Sequence, residues 1–232
     1  MERVRVLTWN LFHGRALPPA GRDLRADFAA ALARWEWDVA LLQEVPPWWP
    51  PALARACGAG ERSALTSRNA LLPLRRLVAE RWPDVVKSNG GGANAILVRE
   101  AAGAIVSHRR AVLRRFPERR VCHAVELTGG TWVANLHAQV HCERRARADV
   151  EHAARAVLGW AGSGAAVLLG GDFNVRAPAA AGFEPLGGHG VDHVLGHNVR
   201  ALAPPAVPER GTLSDHAPVA VCVAAQPGST SG

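Results

Sequence analysis

Residues 170–174 read Gly-Gly-Asp-Phe-Asn and follow directly on the apolar run 165–169. If the chain stays extended there, Asp172 and Asn174 fall on one side, because successive side chains of a strand alternate. A strand buried on both faces that ends in an acid and an amide sits where ligands collect in α/β sheets. A plain turn, in which both side chains only satisfy backbone donors, would use the same letters. Recurrence separates the two readings. Asn10, Glu44, the pair Asn135 and His137, Asp192, and the pair Asp215 and His216 each lie at or just beyond one end of another apolar run. The oxygen donors Asn10, Glu44, Asp172 and Asp215 suit Mg²⁺ or Mn²⁺, since Mg²⁺ takes one or two carboxylates together with water and substrate phosphate. Histidines and carboxylates beside such an ion suit phosphoester hydrolysis: cation and imidazole offset charge on the nonbridging oxygens while a carboxylate aligns water. Asp215 and His216, being adjacent, point different ways, so one can face a metal and the other the substrate. A carboxylate near a histidine fixes its tautomer and favours its protonated form.

The elements that must carry these groups follow from the hydrophobic period. Residues 3–10 alternate as a strand, with Val4, Val6, Thr8 and Asn10 on one face. Asp23 opens a helix whose apolar stripe is Leu24, Phe28, Ala31, Leu32 and Trp35. Residues 38–43 form a second strand ending at Glu44. The segment 46–51, Pro-Pro-Trp-Trp-Pro-Pro, is irregular until Pro51 starts a short helix to Cys57. Trp48 and Trp49 either close a core edge or offer a stacking rim. A helix is expected over 71–82, a flexible turn over 88–92 and strands over 94–98, 105–113, 121–127 and 131–137. In the last of these, Thr131, Val133, Asn135 and His137 share a face. Ala146, Val150, Ala153, Val157 and Leu158 mark an amphipathic helix. Short strands follow at 191–195 and 217–224, joined by a Pro-rich connector over 202–211. Alternating and antiparallel stretches together predict two mixed sheets with helices outside.

With 232 residues and 48% hydrophobic composition, the chain is long enough for one well-buried core. Residues 1–225 are read as one domain and 226–232 as a disordered Gly/Ser/Thr tail. No apolar run has the roughly 18 residues of a membrane span, and the immediate entry into the first strand argues against a secretory signal. The scattered Cys57, Cys122, Cys142 and Cys222 fit free thiols in the cytoplasm, which is the expected location. No zinc, Walker, GxGxxG or GxSxG pattern is present. Net charge is +7, and of the 27 Lys and Arg residues only Lys87 is a lysine. Arginine suits phosphate contacts, although an Arg- and Ala-rich composition throughout weakens that signal.

Taken in order, Trp9-Asn10, Gln43-Glu44, Gly92-Ala93-Asn94-Ala95-Ile96-Leu97, Asn135-Leu136-His137, Gly171-Asp172-Phe173-Asn174, Val191-Asp192-His193 and Ser214-Asp215-His216-Ala217-Pro218 resemble the endonuclease/exonuclease/phosphatase superfamily, across about residues 3–224. The resemblance implies the deoxyribonuclease I-like α/β fold, a four-layer sandwich of two packed mixed sheets flanked by helices. It implies that Asn10 and Glu44 hold Mg²⁺ or Mn²⁺, with Asp215 as a further ligand or its neighbour. Asp172 would orient or deprotonate water, Asn174 would bind phosphate, and Asn135 and His137 would stabilise the transition state. His216, oriented by Asp192, would contact the scissile phosphate or act as acid or base. Asn94, Arg119 and Arg120 are expected at the substrate. The chain lacks the tyrosine used by the abasic-site branch and the disulfides of secreted deoxyribonucleases, and it has little room for the long loops of lipid-cleaving members.

The densest basic cluster is Arg109, Arg110, Arg114, Arg115, Arg119 and Arg120. It reads either as a phosphate-backbone contact or as a solvated turn. His13, His108, His123, His141, His152, His189, His193 and His197 are read as packing or surface residues. The expected activity is a metal-dependent phosphodiesterase on nucleic acid, working as a monomer. A small-molecule or lipid-headgroup phosphoesterase is the alternative, and a binding protein without chemistry is the third.

Overall fold

A computed structural model describes residues 3–226. The tail expected over 226–232 therefore lies outside the described residues, except for Gln226. Two six-stranded sheets pack face to face. The first has the order β11-β12-β1-β2-β4-β3, made of β1 (Val4–Asn10), β2 (Val39–Val45), β3 (Ala59–Leu65), β4 (Ala93–Arg99), β11 (Val199–Ala201) and β12 (Val219–Ala225). The second has the order β5-β6-β7-β8-β10-β9, made of β5 (Ile105–Arg114), β6 (Arg120–Leu127), β7 (Trp132–His137), β8 (Val167–Asp172), β9 (Glu184–His189) and β10 (Asp192–His197). Each sheet is mixed: β1 and β2 run parallel, as do β7 and β8, and the other pairings are antiparallel.

The period-2 pattern explains the layers. Val4 and Val6 of β1, Val39 and Leu41 of β2 and Ile96 and Val98 of β4 meet Val125, Val133, Leu168 and Val194 of the facing sheet. Leu7, Trp9, Leu42 and Leu97 point outward, onto Phe28 and Leu32 of α1 (Arg25–Arg34) and Leu53 of α2 (Pro50–Ala56). Ala134, Leu136 and Leu169 cover Ala146, Val150, Ala153 and Val157 of α5 (Glu143–Ala161). The four layers are thus helix, sheet, sheet and helix, the deoxyribonuclease I-like arrangement.

Three strands are absent from the sequence pattern, and each has a reason. β3 is an edge strand with an exposed, charged sequence. β9 contains Pro185 and two glycines, which suit only an edge. β11 is three residues long. Asp23 accepts a hydrogen bond from Arg25 N at 2.7 Å, yet α1 starts only at Arg25. Trp49 is buried against Phe28, with ring centroids 5.6 Å apart, so it closes the core and offers no stacking rim. The helix expected over 71–82 forms as α3 (Leu72–Arg81) and continues into α4 (Pro83–Val86); neither buries a side chain in the core. All four cysteines are free, and no helix among the described residues is long and apolar enough to cross a membrane.

Candidate active site

Strand register assembles the polar set. On β7, His137 is paired with Asp172 of β8, and Asp192 of β10 is paired with Asp172 from the other side. Asp172 is therefore the middle of three neighbouring strand positions. Gly171 makes this possible: its φ is +143°, and a Cβ there would stand 2.0 Å from Leu136 O. Asn10 comes from the end of β1 in the facing sheet and donates from Nδ2 to Asp172 Oδ2 at 3.0 Å. Its Oδ1 accepts from Phe12 N at 2.9 Å. Glu44 sits where the pairing of β2 with β4 slips between Leu42 and Val45, and its φ of 49° is left-handed. Such an irregularity re-aims a side chain, here towards the other carboxylates.

Around Asp172 the distances are short. His137 Nε2 lies 3.5 Å from Asp172 Oδ2 and 4.0 Å from Glu44 Oε1. His216 Nε2 lies 3.9 Å from the same Asp172 oxygen, and its Nδ1 is 2.7 Å from Asp192 Oδ2. The loop carrying His216 is pinned. Ser214 Oγ donates to Asn10 O at 2.6 Å and accepts from His216 N at 3.0 Å. Trp9 Nε1 donates to His216 O at 3.0 Å. Asn174 N donates to Asp172 Oδ1 at 3.0 Å, and Asn174 Nδ2 donates to Ala138 O at 3.1 Å.

Burial and charge oppose each other here. Burial alone would lower the His216 pKa, but the hydrogen bond to Asp192 and the charges of Asp192, Asp172 and Asp215 outweigh it and raise it to about 9. Burial raises the Asp192 carboxyl to about 6 against the pull of His216. The shared proton thus rests on the imidazole. Burial also raises Asp172 and Glu44, with the positive His216 opposing the shift in both. His137 is held well below the ordinary value by burial, then by Arg120 and His216, so it is neutral.

Two cation sites compete on paper. Asp172, Asp192 and His216 bring donor atoms within 4.8 Å of one another. In that cluster His216 Nδ1 is engaged by Asp192 and its Nε2 turns to Asp172, and a nitrogen donor suits a hard cation less well than oxygen. The oxygen donors Glu44, Asn10 and Asp215 suit a hard cation better. Asp215 is exposed at the rim, and its charge is felt by Glu44.

Several expected site residues stand elsewhere. Asn94 is fully buried and donates to Val121 O at 3.1 Å, so it ties the sheets together rather than meeting substrate. Asn135 is also fully buried: Nδ2 donates to Leu42 O and Ala95 O at 2.9 Å each, and Oδ1 accepts from Gln43 Nε2 at 2.8 Å. With both amide hydrogens donated inside the fold, it holds β2, β4 and β7 in place. The basic cluster is partly spent as well. Arg114 pairs with the buried Asp149 at 2.9 Å, and Arg119 Nη1 donates to Leu65 O at 2.7 Å. Arg120 is 5% exposed and lines a pocket with Glu44 and His137. His13, read from the sequence as a packing or surface residue, stands at the site. Its Nε2 is 3.2 Å from Glu44 Oε2, and burial lowers its pKa to about 4, which keeps it neutral. It lies in a short turn, Phe12–Gly14, just after Asn10.

The family model for the endonuclease/exonuclease/phosphatase family matches residues 7–216. Among solved structures, the Beutenbergia cavernae endonuclease/exonuclease/phosphatase is 19% identical with a TM-score of 0.72, over 97% of this chain and 72% of that one. The Bacteroides thetaiotaomicron mannosyl-6-phosphatase is 15% identical with a TM-score of 0.68, over 95% and 99%. A truncated Caenorhabditis elegans TDP2 is 16% identical with a TM-score of 0.65, over 95% and 97%. No curated protein matches the chain by sequence.

Proposed function

Because the chain belongs to the endonuclease/exonuclease/phosphatase family of phosphoester hydrolases, we propose that it is a divalent-metal-dependent phosphodiesterase acting on nucleic acid in the cytoplasm. The observation that carries this reading is Asp172, set within hydrogen-bond or ion-pair reach of Asn10, His137 and His216.

The donor set fits a hard cation. Glu44 keeps a carboxylate in an enclosed, polar position, its side chain 23% exposed, with Asp215 close enough to feel its charge. Glu44, with Asn10 and Asp215, would hold Mg²⁺ or Mn²⁺. Bound there, the cation supplies charge neutralisation at the scissile phosphate. The protein's own groups do the rest. Asp172, whose basicity burial increases, orients water and accepts its proton. His216 meets the phosphate as a cation, because Asp192 holds Nδ1 and leaves Nε2 facing the site. Neutral His137 donates a hydrogen bond to a phosphate oxygen without adding charge. Asn174 flanks Asp172 and offers its remaining amide hydrogen to the substrate.

Nucleic acid is favoured by the net charge of +7, which remains after the acidic site is counted. A small phosphoester is the second reading, and one observation favours it: Arg114 and Arg119 are held by partners inside the protein, which shrinks the surface patch. DNA, RNA, a phosphatidyl lipid and a sugar phosphate, offered side by side with Mg²⁺, separate the two. Cleavage of DNA or RNA is the expected result. Cleavage of only the lipid or the sugar phosphate would replace this reading with the second.

A further inference from the structure

Beside the acid cluster a small pocket is lined by Glu44 and His137 together with Ser67, Arg68, Glu118 and Arg120. Arg120 opens β6, one strand away from β7 and its terminal His137. Its Nη2 donates to Glu118 Oε2 at 2.7 Å, while its buried Nε has no partner among the described residues. Arg68 reaches the other oxygen, Oε1, of the same Glu118 carboxylate. One carboxylate thus sits between two guanidinium groups, the arrangement in which planar or tetrahedral oxyanions are bound.

A purely structural role explains this poorly. The loop at 65–68 is already fastened to the turn at 118–120. Arg119 N donates to Ser67 Oγ at 2.8 Å, Ser67 Oγ donates to Arg119 O at 3.3 Å, and Arg119 Nη1 donates to Leu65 O. The Glu118 fork adds no further tie between different segments beyond Arg68. Meanwhile a guanidinium that is 5% exposed keeps an N–H unsatisfied, which costs stability unless a ligand takes it up. The free N–H, the second arginine and the pocket all adjoin the Glu44 and His137 side of the site.

We infer that Arg120 and Arg68 form a subsite for the phosphate group next to the scissile one in the substrate, and that Glu118 fills this subsite until such a phosphate displaces it. This rests on the phosphodiesterase reading above and narrows it to substrates that carry a second phosphate. A phosphate brings more acceptor oxygens than a carboxylate, enough for Arg120 Nε as well as the groups Glu118 now engages. A neutral substituent would leave both arginines on Glu118 and gain nothing there.

The test compares dinucleotides bearing a 5′- or a 3′-terminal phosphate with the dinucleotide that has only the internal phosphodiester. In the wild-type protein one of the two phosphorylated forms is expected to be favoured at least tenfold in kcat/KM, through KM. Arg68→Met should bring that ratio close to one, Arg68→Lys should restore part of it, and Glu118→Gln should increase it. Thermal unfolding of each variant reports whether it is folded, and the ratio within one variant cancels any general loss of rate. Turnover of all three dinucleotides with ratios near one in the wild type would overturn the subsite and leave the phosphodiesterase reading intact. So would a preference that survives Arg68→Met unchanged. Failure to cleave any of them would overturn the phosphodiesterase reading itself.

Discussion

At the scale of single residues, neighbouring ionisable groups are set to opposite charge states. Asp192 and His216 form a pair 2.7 Å apart that keeps the imidazole charged, while His137 nearby stays neutral by burial. If Asp192 serves only to hold His216, the two act as a unit. Then His216→Ala and Asp192→Asn should each lower kcat by on the order of 100-fold or more, and the double variant should be little worse than the poorer single one. Multiplying losses would mean that Asp192 serves another group. Glu44 carries a different expectation. Glu44→Gln should keep the fold and weaken Mn²⁺ binding by on the order of 100-fold, measured by titration without substrate; unchanged affinity would move the cation elsewhere, for example to Asp172, Asp192 and His216. Most of this set was legible in the sequence because each acid, amide or histidine lies at or just beyond one end of an apolar run. Asn135 carried the same signal yet turned inward, since a period-2 pattern tells which face a residue takes but not whether that face is covered at that height by the other sheet; Asn94, expected at the substrate from the family resemblance alone, is buried likewise. His13 was illegible for the opposite reason. It lies outside any strand, in a turn whose φ of 54° brings it back over Glu44.

At the scale of elements, the strand ends are held by backbone features as much as by side chains. Gly171 is the sharpest case, because β8 passes so close to β7 that no side chain fits. Gly171→Ala should cost about 3 kcal/mol of stability, from strain at positive φ together with the collision with Leu136 O. Denaturant unfolding checks this, and a loss within 0.5 kcal/mol or so would contradict the geometry. The β5–β6 hairpin adds a pH dependence. His123 is fully buried, and burial, then the adjacent His108 at 3.1 Å, lowers its pKa to about 3. His108 is itself lowered by burial and by the charges of Arg62 and Arg110. The unfolded chain takes up a proton near the ordinary histidine value of about 6.5, which the folded chain refuses until about pH 3. Stability is therefore full above that unfolded value and falls as pH drops towards 3, by about 1.4 kcal/mol per pH unit from His123 alone. Denaturant midpoints at pH 7.5 and 5 should show this drop, and His123→Gln should flatten it. The helices and central strands of both sheets were legible because packed elements show their period. β3 and β9 were not: β3 is exposed and charged, and β9 carries Pro185 and two glycines, so neither shows a hydrophobic period, whereas the edge strand β5 does.

At the scale of the whole molecule, two sheets of similar build meet so that their strand ends share one polar cluster, and the helices cover the outer faces. This arrangement leaves the arginines to be sorted between structure and surface. Arg114→Ala should cost about 2 kcal/mol, since it strands the buried Asp149, and it should leave the salt dependence of DNA binding unchanged. Arg109, Arg110 and Arg115 are exposed, and replacing all three with Ala should flatten that salt dependence. The reverse pattern, measured by binding at several salt concentrations, would assign the patch wrongly here. The most direct test of the central claim, a metal-dependent phosphodiester hydrolysis centred on Asp172, is the initial rate of oligonucleotide cleavage for the wild type and Asp172→Asn, with Mg²⁺ and with excess chelator. The account predicts that cleavage occurs only in wild type with Mg²⁺ and falls by on the order of 1,000-fold or more in the variant or the chelator. Undiminished cleavage by folded Asp172→Asn, or by wild type stripped of metal, would contradict it.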